Sequence, residues 1–157
     1  AGQTNTMTIQ ARINSMGIKN LGVIVKKGIR TLVCIAGQQV FDNGPIHHIA
    51  TNKNRIAGKA WTLKYDEILK DAGFGLSNLR NKLILPGHKG PHPVDYHQEV
   101  YDALEKAFKE ASKKSLTNGL SGAVAQAAID AALEEALMKI ASRLCKASDP
   151  LTKMIVK

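Results

Sequence analysis

Residues 43–54 read NGPIHHIATNKN, and residues 78–97 read NLRNKLILPGHKGPHPVDYH. Between them the two runs hold all five histidines of the chain: His47, His48, His88, His92 and His97. Asp42-Asn43-Gly44-Pro45 is a turn signal that delivers Ile46–Ala50 as a short extended run. In a strand, neighbouring side chains point to opposite faces, so His47 and His48 are suited to different tasks. Lys82–Leu85 reads as a second short strand, ended by Pro86-Gly87. Pro91 and Pro93 flank His92, so His88 and His92 do not sit on one undisturbed helix despite their i, i+4 spacing. Pro93 suits the start of a helix running to about Lys114, with Val94, His97, Val100 or Tyr101, Leu104 and Phe108 on one side. The result is strand, loop, strand, helix, with candidate metal ligands at both ends. Paired imidazoles, an amide and further spaced imidazoles are what metal-assisted phosphodiester hydrolysis requires.

Working outward, Asn52–Lys64 is polar and basic around the single Trp61 and is expected to be a loop over the site. Tyr65–Ala72 has helical spacing and stops at Gly73. Upstream, apolar residues recur at three and four spacing from Ile9 to Ala36, which favours two amphipathic helices broken near Gly17. The β-branched Val23-Ile24-Val25 keeps strand as the alternative. Downstream, Thr117-Asn118-Gly119 ends the helix that starts near Pro93. An Ala-rich helix then runs to about Lys146 with the stripe Ile129, Leu133, Leu137, Ile140 and Leu144.

With 157 residues, 44% apolar and 22% charged, the composition is globular, and one domain is the default. No apolar run approaches the ~20 residues of a membrane span, so no membrane partner is expected. The formal charge is +9, which favours a polyanionic partner. Residues 46–92 carry eight Lys or Arg against three acids, a net +5. Cys34 and Cys145 are far apart and outside any CxxC, and they read as core thiols. The chain begins at Ala1 without a leader and is expected to be a piece cut from a larger delivery polypeptide.

GPIHHIAT, then Asn81 in an NxLxLP-like run, then the spaced His88, His92 and Tyr96-His97 resemble the AHH branch of the HNH (ββα-metal) nuclease superfamily, common as C-terminal domains of bacterial polymorphic toxins. The resemblance covers roughly residues 43–105. Ile46 stands where that family usually has a small residue. The resemblance implies a ββα-metal core, placed at 43–114; with the N-terminal helical segment at 1–42 and the C-terminal helical segment at 115–157 that the apolar spacing favours, the expected fold is α+β and mostly helical. The resemblance also implies one divalent metal ion (Zn, Mg, Mn or Ni) held by His47, His92 and His97. His48 is then the general base, its Nδ1–H accepted by the Asn81 amide oxygen. His88 completes the shell, touches the scissile phosphate or stabilises the leaving oxygen. Lys53, Arg55, Arg80, Lys82 and Lys89 are the expected phosphate contacts.

The function so implied is a sequence-nonspecific DNase, secreted or injected within a larger effector and acting in the target-cell cytoplasm, with an acidic immunity protein as its inhibitor. An RNase or tRNase on the same scaffold is the alternative. A module in which zinc merely holds a nucleic-acid-binding fold together is the rival from another class.

Overall fold

The computed structural model describes residues 8–53, 60–72, 74–90 and 92–156. Helix α1 (Ile9–Ser15) opens with Ala11 N donating to Thr8 Oγ1 at 3.1 Å, and it buries Ile9 and Ile13. The second helix expected before residue 36 is instead an antiparallel hairpin, β1 (Leu21–Lys26) and β2 (Ile29–Ala36). Lys27 and Gly28 form its turn with φ of 52° and 79°, the left-handed pair that matches strand twist in a two-residue connection. The helical reading fails for a physical reason. β2 is buried on both faces from Thr31 to Cys34, so it shows an unbroken apolar run that periodicity cannot separate from a helix.

β3 (Gln39–Phe41) pairs with the end of β2. β4 (Ile46–His48) and β5 (Lys82–Ile84) extend the sheet, giving the order β1-β2-β5-β4. β5 runs parallel to β2, with Leu32 opposite Leu83, and antiparallel to β4, with His47 opposite Leu83 and His48 opposite Lys82. Helix α2 (Trp61–Leu69) begins inside the stretch expected to be a loop, because Trp61, Tyr65, Ile68 and Leu69 form a buried face at helical spacing. Two long helices, α3 (Val94–Thr117) and α4 (Gly122–Leu144), pack together, and a short α5 (Pro150–Lys153) follows. Their buried residues join the sheet in one apolar core running from Ile9 to Ile155. No described helix is long and apolar enough to cross a membrane.

Two long-range ties fasten the C-terminal third. Glu134 on α4 forms an ion pair with Arg12, 2.7 Å from its Nε, and accepts from Arg80 Nε at 2.6 Å. Cys34 on β2 and Cys145 at the end of α4 form a disulfide across 111 residues, which corrects the expectation of core thiols. The two are unrelated in sequence spacing but adjacent in space, since α4 returns to the sheet with a Cα–Cα distance of 5.4 Å at that pair.

Candidate metal centre

β4 presents its two histidines to opposite faces, as the pleat requires. His47 turns inward and is buried, while His48 stays half-exposed. The turn before β4 lies directly against the turn after β5. A Cβ at Gly44 would sit 2.9 Å from Pro86 Cα, so only glycine allows this approach, and Leu85 N donates to Pro45 O at 3.1 Å across it. That contact brings the His88 loop beside His47. The C-terminal tail holds the loop from the other side: His88 bridges to Val156, and Lys89 N donates to Ile155 O at 3.1 Å. His92 precedes Pro93, the N-cap of α3, and reaches the same place.

The three rings meet. Their centroids lie 4.4 Å apart for His47 and His88, 5.0 Å for His47 and His92, and 4.6 Å for His88 and His92. One nitrogen from each lies within 4.8 Å of the others. The Nδ1 atoms of His88 and His92, like that of the neighbouring His97, are buried without a hydrogen-bond partner among the described residues, an arrangement costing about 1–3 kcal/mol per atom unless something else binds there. Burial, then the neighbouring His88, His92, His48 and His97, push the His47 pKa well below its ordinary value. Burial first, then His88 and His97, bring His92 down to about 4. Burial lowers His88 as well. Three neutral imidazoles with lone pairs, two of them unpartnered, fit a divalent ion.

Tyr96, one turn into α3 and fully buried, fixes the tautomer of His47. Its hydroxyl donates to Ile49 O at 2.8 Å and lies 2.7 Å from His47 Nε2. A hydroxyl has one proton, so Nε2–H must be the donor to Tyr96, and Nδ1 of His47 keeps the lone pair. Burial raises the Tyr96 pKa, so the hydroxyl stays protonated. Tyr96 carries no expected role in the sequence; the signal that could have found it is its i, i+4, i+8 spacing with Val100 and Leu104, all three buried on α3.

The structure gathers His47, His88 and His92. His97, expected as a ligand, stands beside that group and not in it: its ring stacks on Trp61 at 5.8 Å and lies 6.0 Å from the His92 ring. Asn81 also differs from expectation. Its Oδ1 accepts from Ala50 N at 2.7 Å, and its Nδ2 donates to Ala50 O and Leu76 O, both at 2.9 Å. Those bonds occupy the amide, so Asn81 locks the backbone just after the histidine pair and does not hold the His48 ring. Among the described residues, the side chain bonded to that ring is Asn52, whose amide lies 3.3 Å from His48 Nε2.

Burial first, then Lys82 and Lys53, depress the pKa of His48, so both lysines stand near it as expected of phosphate contacts. Lys89 is exposed on the His88 loop. Arg80 is committed elsewhere, to Glu134 and to Asn78 Oδ1 at 3.0 Å, with its guanidinium over Phe74. That removes it from the expected phosphate contacts. Arg55 lies outside the described residues.

No curated protein and no solved structure matches the chain. A family model does match, over residues 38–140, and it describes a nuclease family of the HNH/ENDO VII superfamily with conserved AHH. The matched span contains the whole histidine cluster, with Ile46 preceding the His pair in place of the Ala that the family's motif names. The chain therefore belongs to the AHH nucleases of the HNH/ENDO VII superfamily, hydrolytic enzymes that cut phosphodiester bonds.

Proposed function

We propose that this nuclease is a metal-dependent, sequence-nonspecific endonuclease acting on DNA, and that β4, β5 and α3 serve as a ββα-metal core. The observation that carries the reading is the contrast inside one dipeptide. His47 joins His88 and His92 in a group of facing lone pairs, while the adjacent His48 stays half-exposed outside that group, on a strand position paired with Lys82. Three imidazoles without a carboxylate suit Zn or Ni better than Mg or Mn.

An ion held there supplies Lewis-acid charge to the phosphodiester and its leaving 3′ oxygen. His48, neutral at pH 7 because its pKa is depressed, accepts a proton from the attacking water. Asn52 Nδ2 donates to His48 Nε2 at 3.3 Å, so Nε2 carries the lone pair, and the attacking water takes the place of that long contact when Nε2 accepts its proton. Lys53, Lys82 and Lys89 hold flanking phosphates, and their dispersion over loops supports backbone contact without base readout. A closed four-ligand zinc site would favour the purely structural module, but His97 is stacked on Trp61, outside the triad.

Basic charge, a nonspecific nuclease and the AHH assignment together support a role as the toxic tip of a larger delivered effector acting in a target-cell cytoplasm. The producing cell then needs an acidic immunity protein, whose association would be fast and salt-sensitive. Incubating purified protein with plasmid and with total RNA, with and without EDTA, tests the reading. Plasmid nicking that EDTA stops is expected. Degradation of RNA alone would replace DNase with RNase, and cleavage untouched by EDTA would remove the metal.

A further inference from the structure

The first 41 residues contain five Lys or Arg and no acid, and twelve of the thirteen acids lie at residue 66 or beyond. Two of those five cations are engaged: Arg12 pairs with Glu134, and Lys26 Nζ donates to the Asp42 carbonyl. Lys27 and Arg30, at the tip of the β1–β2 hairpin, are exposed, and their side chains make no hydrogen bond or ion pair with a described residue. Val25 and Ile29 beside them are 66% and 45% exposed.

The sheet aims this tip at the end of the molecule that holds His48. β2 is parallel to β5 and β5 antiparallel to β4, so Thr31, Lys82 and His48 share one row across the strands. Thr31 Oγ1 donates to Lys82 O at 3.2 Å along that row. The hairpin continues past the row, and standard strand dimensions put its tip about 15 Å from His48. That distance is about four base pairs of duplex at ~3.4 Å each.

Lys27 itself is poorly matched to its backbone. A φ of 52° is left-handed, and the first position of this turn favours Asn, Asp or Gly. A lysine that is left-handed, exposed and unbonded serves neither packing nor turn formation. The hairpin also precedes residue 38, where the family match begins, so membership of the family does not account for it.

We propose that the β1–β2 hairpin is a DNA-binding arm, with Lys27 and Arg30 holding backbone phosphates about four base pairs from the scissile bond. The proposal rests on the endonuclease reading of the histidine site. Its test is the affinity of the purified chain for unrelated DNA duplexes, read by fluorescence anisotropy over a salt series in EDTA. Cleavage by the same proteins is assayed with divalent ion added. Lys27→Asn with Arg30→Gln should lower the slope of log K against log salt by about 1.8 and the affinity roughly 60-fold at 0.1 M salt. Lys27→Asn alone should lower the slope by about 0.9 and raise Tm by about 2 °C, since Asn suits the turn. Lys109→Gln with Lys113→Gln on α3, the same change in net charge, should move the slope by less than about 0.5.

Equal losses from the hairpin and α3 variants would show a general charge effect and overturn the arm. A hairpin variant that binds like wild type, while wild type cleaves, sinks the arm and leaves the nuclease reading standing. Wild type that neither binds nor cleaves sinks both. A loss confined to an RNA duplex of the same length assigns the arm to RNA and overturns the DNA assignment.

Discussion

The histidine end of the sheet and the α3–α4 pair follow opposite rules. On the helical pair, charges sit in i, i+4 couples such as Lys139 with Glu135 at 2.7 Å and Lys109 with Glu105 at 3.6 Å. The groove between the two helices, about 820 Å³, is lined by alanines such as Ala103, Ala107, Ala128 and Ala132 together with charged residues such as Lys106 and Glu110. Local propensity, patterning and pairing agree there, as they do in a scaffold. At the sheet end, buried ring nitrogens lack partners, five titratable rings crowd together, and a lysine adopts a left-handed backbone. A bound ion would resolve such a break of local rules at a buried polar cluster.

The comparison breaks most severely if His48 proves dispensable. His48→Ala should lower cleavage by about 10²–10⁴-fold, the usual contribution of a general base, and leave metal affinity near wild type. Retained cleavage would make the sheet end a binding site without this base. The next largest effect belongs to the scaffold. Removing the Cys34–Cys145 bond by Cys34→Ala with Cys145→Ala should cost about 5 kcal/mol, because the bond closes a loop of over a hundred residues in the unfolded chain. Denaturant unfolding measures this; a loss under ~1 kcal/mol would show that the unfolded ensemble is not limited by that loop.

A smaller effect is expected at Tyr96. Tyr96→Phe removes the acceptor for His47 Nε2–H and should weaken metal binding roughly 10- to 100-fold, with Tm of the metal-free protein changing much less. Unchanged affinity would mean that packing alone orients His47. The smallest effect is with pH. His47 and His92 titrate lower in the folded state than the ordinary 6.5, His92 at about 4, so between those values the unfolded chain binds more protons. Stability of the metal-free protein is therefore fully present above about pH 6.5 and declines towards pH 4. Thermal melts at pH 7.5 and pH 5 read this, and an equal or higher Tm at pH 5 contradicts the buried neutral triad.

Much of this was legible in the sequence where a local rule decides. The turn Asp42–Pro45, the strands carrying His47 and Lys82, the helix starting at Pro93 and the Ala-rich helix stand close to where their residues place them. Long-range contacts account for the rest. The His88 loop is set by pairing with Ile155 and Val156, and its neighbouring prolines give no hint of that. This is how His88, and not His97, comes to face His47. Arg80 is drawn from the substrate side by Glu134, fifty-four residues on. Cys34 meets Cys145 only because α4 returns to β2. Asn81 looked free for His48, but a buried amide beside unpaired backbone groups bonds to them first.

On the proposed reading, His47, His88 and His92 hold the ion while His97 and His48 do not. Titration calorimetry of Zn²⁺ into wild type, His88→Ala, His97→Ala and His48→Ala tests it most directly. The account predicts that binding is lost in His88→Ala and retained in the other two. Binding retained in His88→Ala and lost in His97→Ala would contradict it and move the ligand set to His47, His92 and His97.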